Sequence, residues 1–167
     1  MNKQSAPDRC AIQRATTPTE VAAVRALLEE YAVDTGLDLC FQNFAAELDA
    51  LPGDYAPPHG CLLLARCQMQ WAGCVALRPL RDADSAHSCE MKRLFVPERF
   101  RGQGVGRALA QAVIAQARAI GYEQMKLDTV ASLTASNRLY HSLGFESIPA
   151  YCHNPFPDAR FYGLSLI

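Results

Sequence analysis

Glycines at 102, 104 and 106 stand between a strand-like run and a helical pattern, with Arg101 and Arg107 on either side. Strand, glycine-rich loop and helix together make a phosphate holder. Glycine lets the backbone approach an anion closely, and the first amides of the helix point at it with the positive end of the dipole behind them. The two arginines would add charge-assisted contacts. The plain alternative is a tight turn, which the glycine spacing alone fits equally. Two phosphate loops can be tested letter by letter. A Walker loop ends in Gly-Lys-Ser/Thr, whereas Gly106 is followed by Arg107 and Ala108. A dinucleotide fingerprint needs Gly-x-Gly-x-x-Gly after the first strand of the fold. From Gly102 the last glycine arrives one place early, from Gly104 the third place is Leu109, and the loop comes late in the chain. Both patterns fail.

The elements that must position this loop follow from periodicity. Residues 10–15 form a strand pattern ending at Thr16-Thr17-Pro18, and Val21, Val24, Leu28 and Tyr31 then recur at helical spacing, with Thr17 as cap and Pro18 first in the helix. After Gly36 a second helical pattern holds Phe44 and Leu48 and stops before Pro52-Gly53, leaving 54–60, with Pro57-Pro58, as loop. Apolar runs at 61–67 and 71–77, parted by a polar turn, predict a hairpin; a polar turn over 81–86 leads to a strand at 89–96. The helix after the glycine loop carries Val105, Leu109, Val113 and Ile120 and closes at Gly121. A strand at 125–130, a helix at 134–143 ended by Gly144, a strand at 145–148, a Pro-rich loop at 149–157 and a strand at 160–166 complete the chain. This order predicts a mixed α/β layer with a largely antiparallel block and a β-α-β crossover near the carboxyl end.

Composition narrows the function classes. The chain has 167 residues, half of them hydrophobic and a fifth charged, which predicts one globular domain, with residues 1–9 as a flexible leader. Sixteen basic against seventeen acidic residues leave a net charge of −1, so nucleic acid and membrane surfaces are not expected partners. The longest apolar run is too short for a bilayer and no hydrophobic segment follows the amino terminus, so the expected location is the cytoplasm. The seven cysteines, at 10, 40, 61, 67, 74, 89 and 152, include no Cys-x-x-Cys pair. They are expected as reduced, small buried hydrophobes, with neither metal nor disulfide.

A third pattern fits the loop. Arg101-x-x-Gly104-x-Gly106 resembles the Arg/Gln-x-x-Gly-x-Gly/Ala signature of the GNAT superfamily of acyl-CoA-dependent N-acetyltransferases. Residues 90–96 (Glu-Met-Lys-Arg-Leu-Phe-Val) resemble that family's fourth strand, and 139–145 (Leu-Tyr-His-Ser-Leu-Gly-Phe) its late helix-to-strand element. The resemblance runs from Cys10 to the carboxyl end and is firmest over 90–145. It implies a central, mostly antiparallel sheet of six to seven strands flanked by about four helices.

It also implies roles. Acetyl-CoA would be the co-substrate, without metal. Its pyrophosphate would meet Arg101, Gly102 and the amides from Gln103 through Gly104, Val105 and Gly106 to Arg107, and its pantetheine would lie as an added strand along Leu94, Phe95 and Val96. An N–H near Phe95 would face the thioester carbonyl. Tyr140 would be the general acid for the leaving thiolate, the alternative being a tyrosine that packs helix on sheet. Glu90 is the candidate base, with burial fitting it for that task; the alternative is a glutamate paired with Lys92 or Arg93. Where relatives often carry a cofactor-touching asparagine, seven places before the tyrosine, this chain has Leu133, and Asn137 is the nearby candidate. The acceptor would be a primary amine of a small molecule or peptide, near Tyr31, Tyr55, His59, His153 and Asn154, on a monomer or homodimer. The competing class is a non-catalytic acyl-CoA-binding sensor.

Overall fold

The computed structural model describes residues 10–81 and 87–167. The expected leader and most of the polar turn at 81–86 lie outside these residues. In chain order the elements are β1 (Ala11–Arg14), α1 (Pro18–Thr35), α2 (Phe44–Ala50), β2 (Cys61–Cys67), β3 (Gln70–Pro79), β4 (Ser88–Phe95), α3 (Val105–Ile120), β5 (Gln124–Val130), α4 (Thr134–Ser142), β6 (Glu146–Ser147) and β7 (Ala159–Ser165). The strands form one sheet in the order β1-β2-β3-β4-β5-β7-β6. Neighbours run antiparallel except β4 and β5, whose parallel pairing is bridged by α3, the expected β-α-β unit.

Helix α1 starts where its sequence says it must. The Thr17 hydroxyl accepts from the Glu20 amide at 3.3 Å and the Glu20 carboxylate accepts from the Thr17 amide at 2.9 Å, a reciprocal capping box with Pro18 at the first helical position. The sheet is buried on both faces, which explains the unbroken apolar run of β2. Leu62 and Leu64 meet Val24, Leu27 and Leu28 of α1. Leu63 and Ala65 point the other way, into the core that holds Leu109, Val113 and Ala117 of α3 and Tyr140 of α4. No helix among the described residues is long and apolar enough to cross a membrane.

One expectation is corrected. Cys10 and Cys67 are joined by a disulfide, while Cys61, Cys74 and Cys89 are buried free thiols and Cys40 and Cys152 are exposed ones. The pairing of Ala11 with Arg66 across β1 and β2 puts the two cysteines opposite each other, their Cα atoms 4.4 Å apart. They are 57 positions apart in the chain, so only strand pairing reveals the contact. Reduction, or Cys67→Ala, is expected to lower unfolding stability by roughly 4 kcal/mol on chain-entropy grounds, read as a drop in the urea midpoint. An unchanged midpoint in reductant would show that the bond does not hold the edge strand.

Candidate active site

β4 and β5 are hydrogen-bonded neighbours only from Ser88–Gln124 to Glu90–Lys126. Beyond that point each keeps its other partner, β3 or β7, and the two part. A bulge in β4 sets the divergence: from Lys92 to Phe95 the strand takes three steps while β3 takes two, and Arg93 adopts φ 59°. Gly73 of β3 allows the close approach this needs, because a Cβ there would fall 2.6 Å from the Phe95 carbonyl oxygen. The gap is a cleft of about 520 Å³, walled by residues 91–96 on one side and 127–130 on the other. On this side β4 beyond Glu90 has no strand to pair with.

At one end of the cleft stands the glycine loop. Helix α3 has no side-chain cap, and its first turn closes with the Ala108 amide donating to the Gly104 carbonyl at 3.0 Å. The amides of residues 104–107 therefore lack intrahelical partners. Gly102 and Gly104 have φ of 75° and 80°, conformations that favour glycine, and a Cβ on either would meet nothing within 4 Å. The space over the loop is open, with donors facing it. The side chains differ from expectation. Arg101 donates to the Val96 carbonyl at 2.9 Å and pairs with Asp34 at 2.6 Å, Arg99 pairs with Glu30 at 2.8 Å, and Arg93 pairs with Glu47 at 2.7 Å. Arg107 donates to the Ser142 hydroxyl at 2.7 Å and the Gln103 amide to the Arg99 carbonyl at 3.3 Å. The local run of positive charge is thus largely neutralised by α1 and α2, and the backbone amides are the donors left without partners in the helix.

Leu94, Phe95, Val96, Arg101, Gly102, Gly104, Val105 and Gly106 all line the cleft, whereas Gln103 and Arg107 do not. Leu133, just before α4, and Tyr140, in its last turn, line it and Asn137 does not. The Asn137 amide turns back to the carbonyls of Val130 and Leu133, at 2.9 and 2.8 Å, tying the helix start to the end of β5. Tyr140 is 7 % exposed and packs edge-on against Phe145. Among the described residues its hydroxyl has no hydrogen-bond partner. Burial pushes its phenol pKa well above the ordinary value, Tyr31 and Asp128 adding to the effect, so the proton stays on at neutral pH.

The other end of the cleft holds a buried charge network that the sequence motifs did not announce. Asp128 accepts from Lys92 at 2.9 Å and from the Asn154 amide at 2.9 Å, with the Gln42 amide at 3.4 Å. Glu90 lies behind it, accepting from Arg78 at 2.7 Å and the Tyr151 hydroxyl at 2.8 Å, with Lys92 at 3.6 Å. Both oxygens of Glu90 are engaged and the residue does not line the cleft, while Asp128 does. Glu90, Asp128 and Cys152 bring ligand atoms within 4.8 Å of one another, but the two carboxylates already bind cations and hydroxyl, which makes this an ion-pair network. Of the residues named for the acceptor side, Tyr31 and Asn154 line the cleft. Tyr55 instead hydrogen-bonds Glu47 beneath Arg93, at 2.7 Å, and His59 sits at a separate hollow, its carbonyl accepting from the Tyr122 hydroxyl. His153 does not line the cleft. An aspartate inside the strand 125–130 was the available signal for Asp128, but it gains meaning only beside Lys92, thirty-six residues earlier.

An open sheet splayed at its parallel pair, with an uncapped glycine-led helix at one end of the split, defines the acyl-CoA N-acyltransferase class of fold. The Acetyltransferase (GNAT) family model matches residues 21–145, and the chain belongs to that family. An N-acetyltransferase of Schizosaccharomyces pombe is 37% identical over 161 residues, spanning 96% of this chain and 97% of that protein. N-acetylaspartate synthetase of Danio rerio is 34% identical over 113 residues, 67% of this chain but 38% of that one. An acetyltransferase of the GNAT family from Staphylococcus aureus superposes with TM-score 0.77 at 17% identity, covering 95% of this chain and all of that one. A Salmonella typhimurium protein solved with its cofactor acetyl-CoA superposes with TM-score 0.69 at 21% identity, covering 95% and 94%.

Two carboxylates of the network carry a pH dependence. Burial alone would raise Glu47, yet Arg93 holds it below its ordinary 4.5; burial opposes and Lys92 lowers Asp128, below its ordinary 3.8. Because both folded values are depressed, the stabilisation is complete above the ordinary values and is lost as pH falls through the folded ones. The melting temperature should be level above about pH 5 and fall below about pH 4. Asp128→Asn should show a shallower fall, and a slope equal to the wild type's would remove the Lys92–Asp128 pair as its source.

Proposed function

We propose that the protein is a cytoplasmic enzyme that moves the acetyl group of acetyl-CoA to a primary amine of a small molecule or peptide, by direct attack on the thioester. The observation that carries this reading is the split between β4 and β5, which offers an unpaired strand edge leading to free helix amides at one end and a protonated Tyr140 in its wall. An extended pantetheine arm fits such an edge as an added strand would, and a diphosphate fits the open space over the amides of residues 104–107. When bound, acetyl-CoA supplies an activated carbonyl.

The chain's own groups would do the rest. Residues 94–96 hold the arm and aim it, and a β4 amide near Phe95, freed by the bulge, faces the carbonyl oxygen and stabilises charge there. The acceptor enters from the side of Tyr31, Asp128 and Asn154. As the C–N bond forms and the C–S bond breaks, the Tyr140 hydroxyl gives its proton to the leaving sulfur and regains one from the acceptor nitrogen; the second surplus proton of the ammonium leaves to water. Asp128, kept ionised by Lys92, suits the reception of an ammonium better than the permanent capture of its proton. Glu90, with both oxygens committed, acts on the site through Lys92 by holding that cation in place.

Tyr140→Phe is expected to lower kcat by about 100-fold while calorimetry finds acetyl-CoA affinity unchanged. An undiminished kcat would remove Tyr140 from the acid role. Failure of thiol release across amines, amino acids and peptides, despite tight CoA binding, would favour the sensor.

A further inference from the structure

The acceptor end of the cleft has places for two opposite charges. Arg93 lines it from the β4 bulge, its side chain only 3 % exposed. Glu47 takes two of its nitrogens, Nε at 3.0 Å and Nη2 at 2.7 Å. No second carboxylate among the described residues reaches the guanidinium, and its charge acts on the Tyr31 phenol in the same wall. Nη1 donates to neither Glu47 oxygen, and the guanidinium also interacts with the Tyr31 hydroxyl and lies 4.8 Å over the Phe44 ring. The φ of 59° at this non-glycine residue, inside a buried strand, is a costly conformation of the kind retained at ligand clamps.

The negative place is Asp128 with Gln42. The Gln42 amide nitrogen lies 3.4 Å from Asp128, and its oxygen is buried without a partner, in a residue that lines the same cleft. A buried acceptor of this kind calls for a donor. The network around both places is balanced: Arg78, Lys92 and Arg93 face Glu90, Asp128 and Glu47. A diamine would add uncompensated positive charge beside Arg93, whereas a zwitterion keeps the balance.

We propose that the acceptor is a free amino acid, its carboxylate bound by Arg93 and its amino group received between Asp128 and Gln42. This rests on the transfer reading above and adds the acceptor class and the residue that selects it. The carboxylate takes no part in bond exchange; it fixes the amine beside the wall that holds Tyr140. A charge-assisted contact of this kind discriminates by at least about tenfold.

The test compares free amino acids with their α-carboxamides, which keep the amine and lose the carboxylate charge. Thiol release from acetyl-CoA should favour the acid by at least about tenfold in kcat/KM. Arg93→Lys, which keeps a cation opposite Glu47, should collapse that preference, chiefly through KM. Its melting temperature and CoA heat of binding report that it has folded. If it does not fold, wild-type calorimetry decides: CoA-loaded protein should bind the amino acid and not the amide. Equal rates for acid and amide, or no binding of any amino acid to the CoA-loaded protein, would overturn the proposal. Amino-acid binding without thiol release from any amine would instead sink the transfer reading and leave the carboxylate subsite standing.

Discussion

The site depends on one broken ladder. A strand inside a sheet satisfies its backbone on both sides, and an interior edge left open carries unpaired donors and acceptors that must find partners in water or ligand. β4 is open in this way from Met91 to Phe95, because the bulge at Arg93 bends it away from β5 after only three paired residues. The features of the candidate site are arranged along that opening. The free amides of α3 lie at one end, Tyr140 in the wall, and the Lys92–Asp128 pair at the other end. The rest of the sheet keeps the split from closing: β3 holds β4, β7 holds β5, and α3 connects the two over a core containing Leu109 and Val113.

Charge placement follows the same geometry. α1 and α2 cover the face opposite α3, and they bring acids to the arginines that follow the β4 strand: Glu47 to Arg93, Glu30 to Arg99 and Asp34 to Arg101. Two of these pairs are partly exposed surface contacts of modest energy. The Arg93–Glu47 pair is different, being buried and bidentate, so it fixes the bulge residue and with it that part of the cleft wall. The donors left open at the loop are backbone amides, whose direction is set by the helix and does not depend on long side chains holding their rotamers.

The motif-bearing half of the site was legible in the letters. Gly102, Gly104 and Gly106 mark a loop whose backbone must take left-handed angles and expose amides, and that demand is local. Thr17-Pro18 likewise announce the start of α1, and the structure closes it with Glu20 as a capping box within four residues. Tyr140 was legible through its place before Gly144-Phe145. Strand order, by contrast, is invisible in periodicity: nothing in the letters says that β7 lies between β5 and β6, or that β1 stands beside β2 and brings Cys10 to Cys67.

The amino-acid sequence by itself determined the order and type of most elements and the glycine loop that leads into α3, because these rest on short-range patterns of apolar period, capping and glycine spacing. It also singled out Glu90 and Tyr140, as members of those patterns; Tyr140 lines the cleft and Glu90 does not. Only the tertiary structure decided what each charge does. Glu90 is engaged by Arg78 and Tyr151, and the carboxylate at the cleft is Asp128. Arg93, which the letters offered as a partner for Glu90, is instead paired with Glu47 in the cleft wall. The physical reason is that an ion pair or a cleft wall joins residues tens of positions apart, and its energy depends on distance and burial, which exist only once the sheet has assembled.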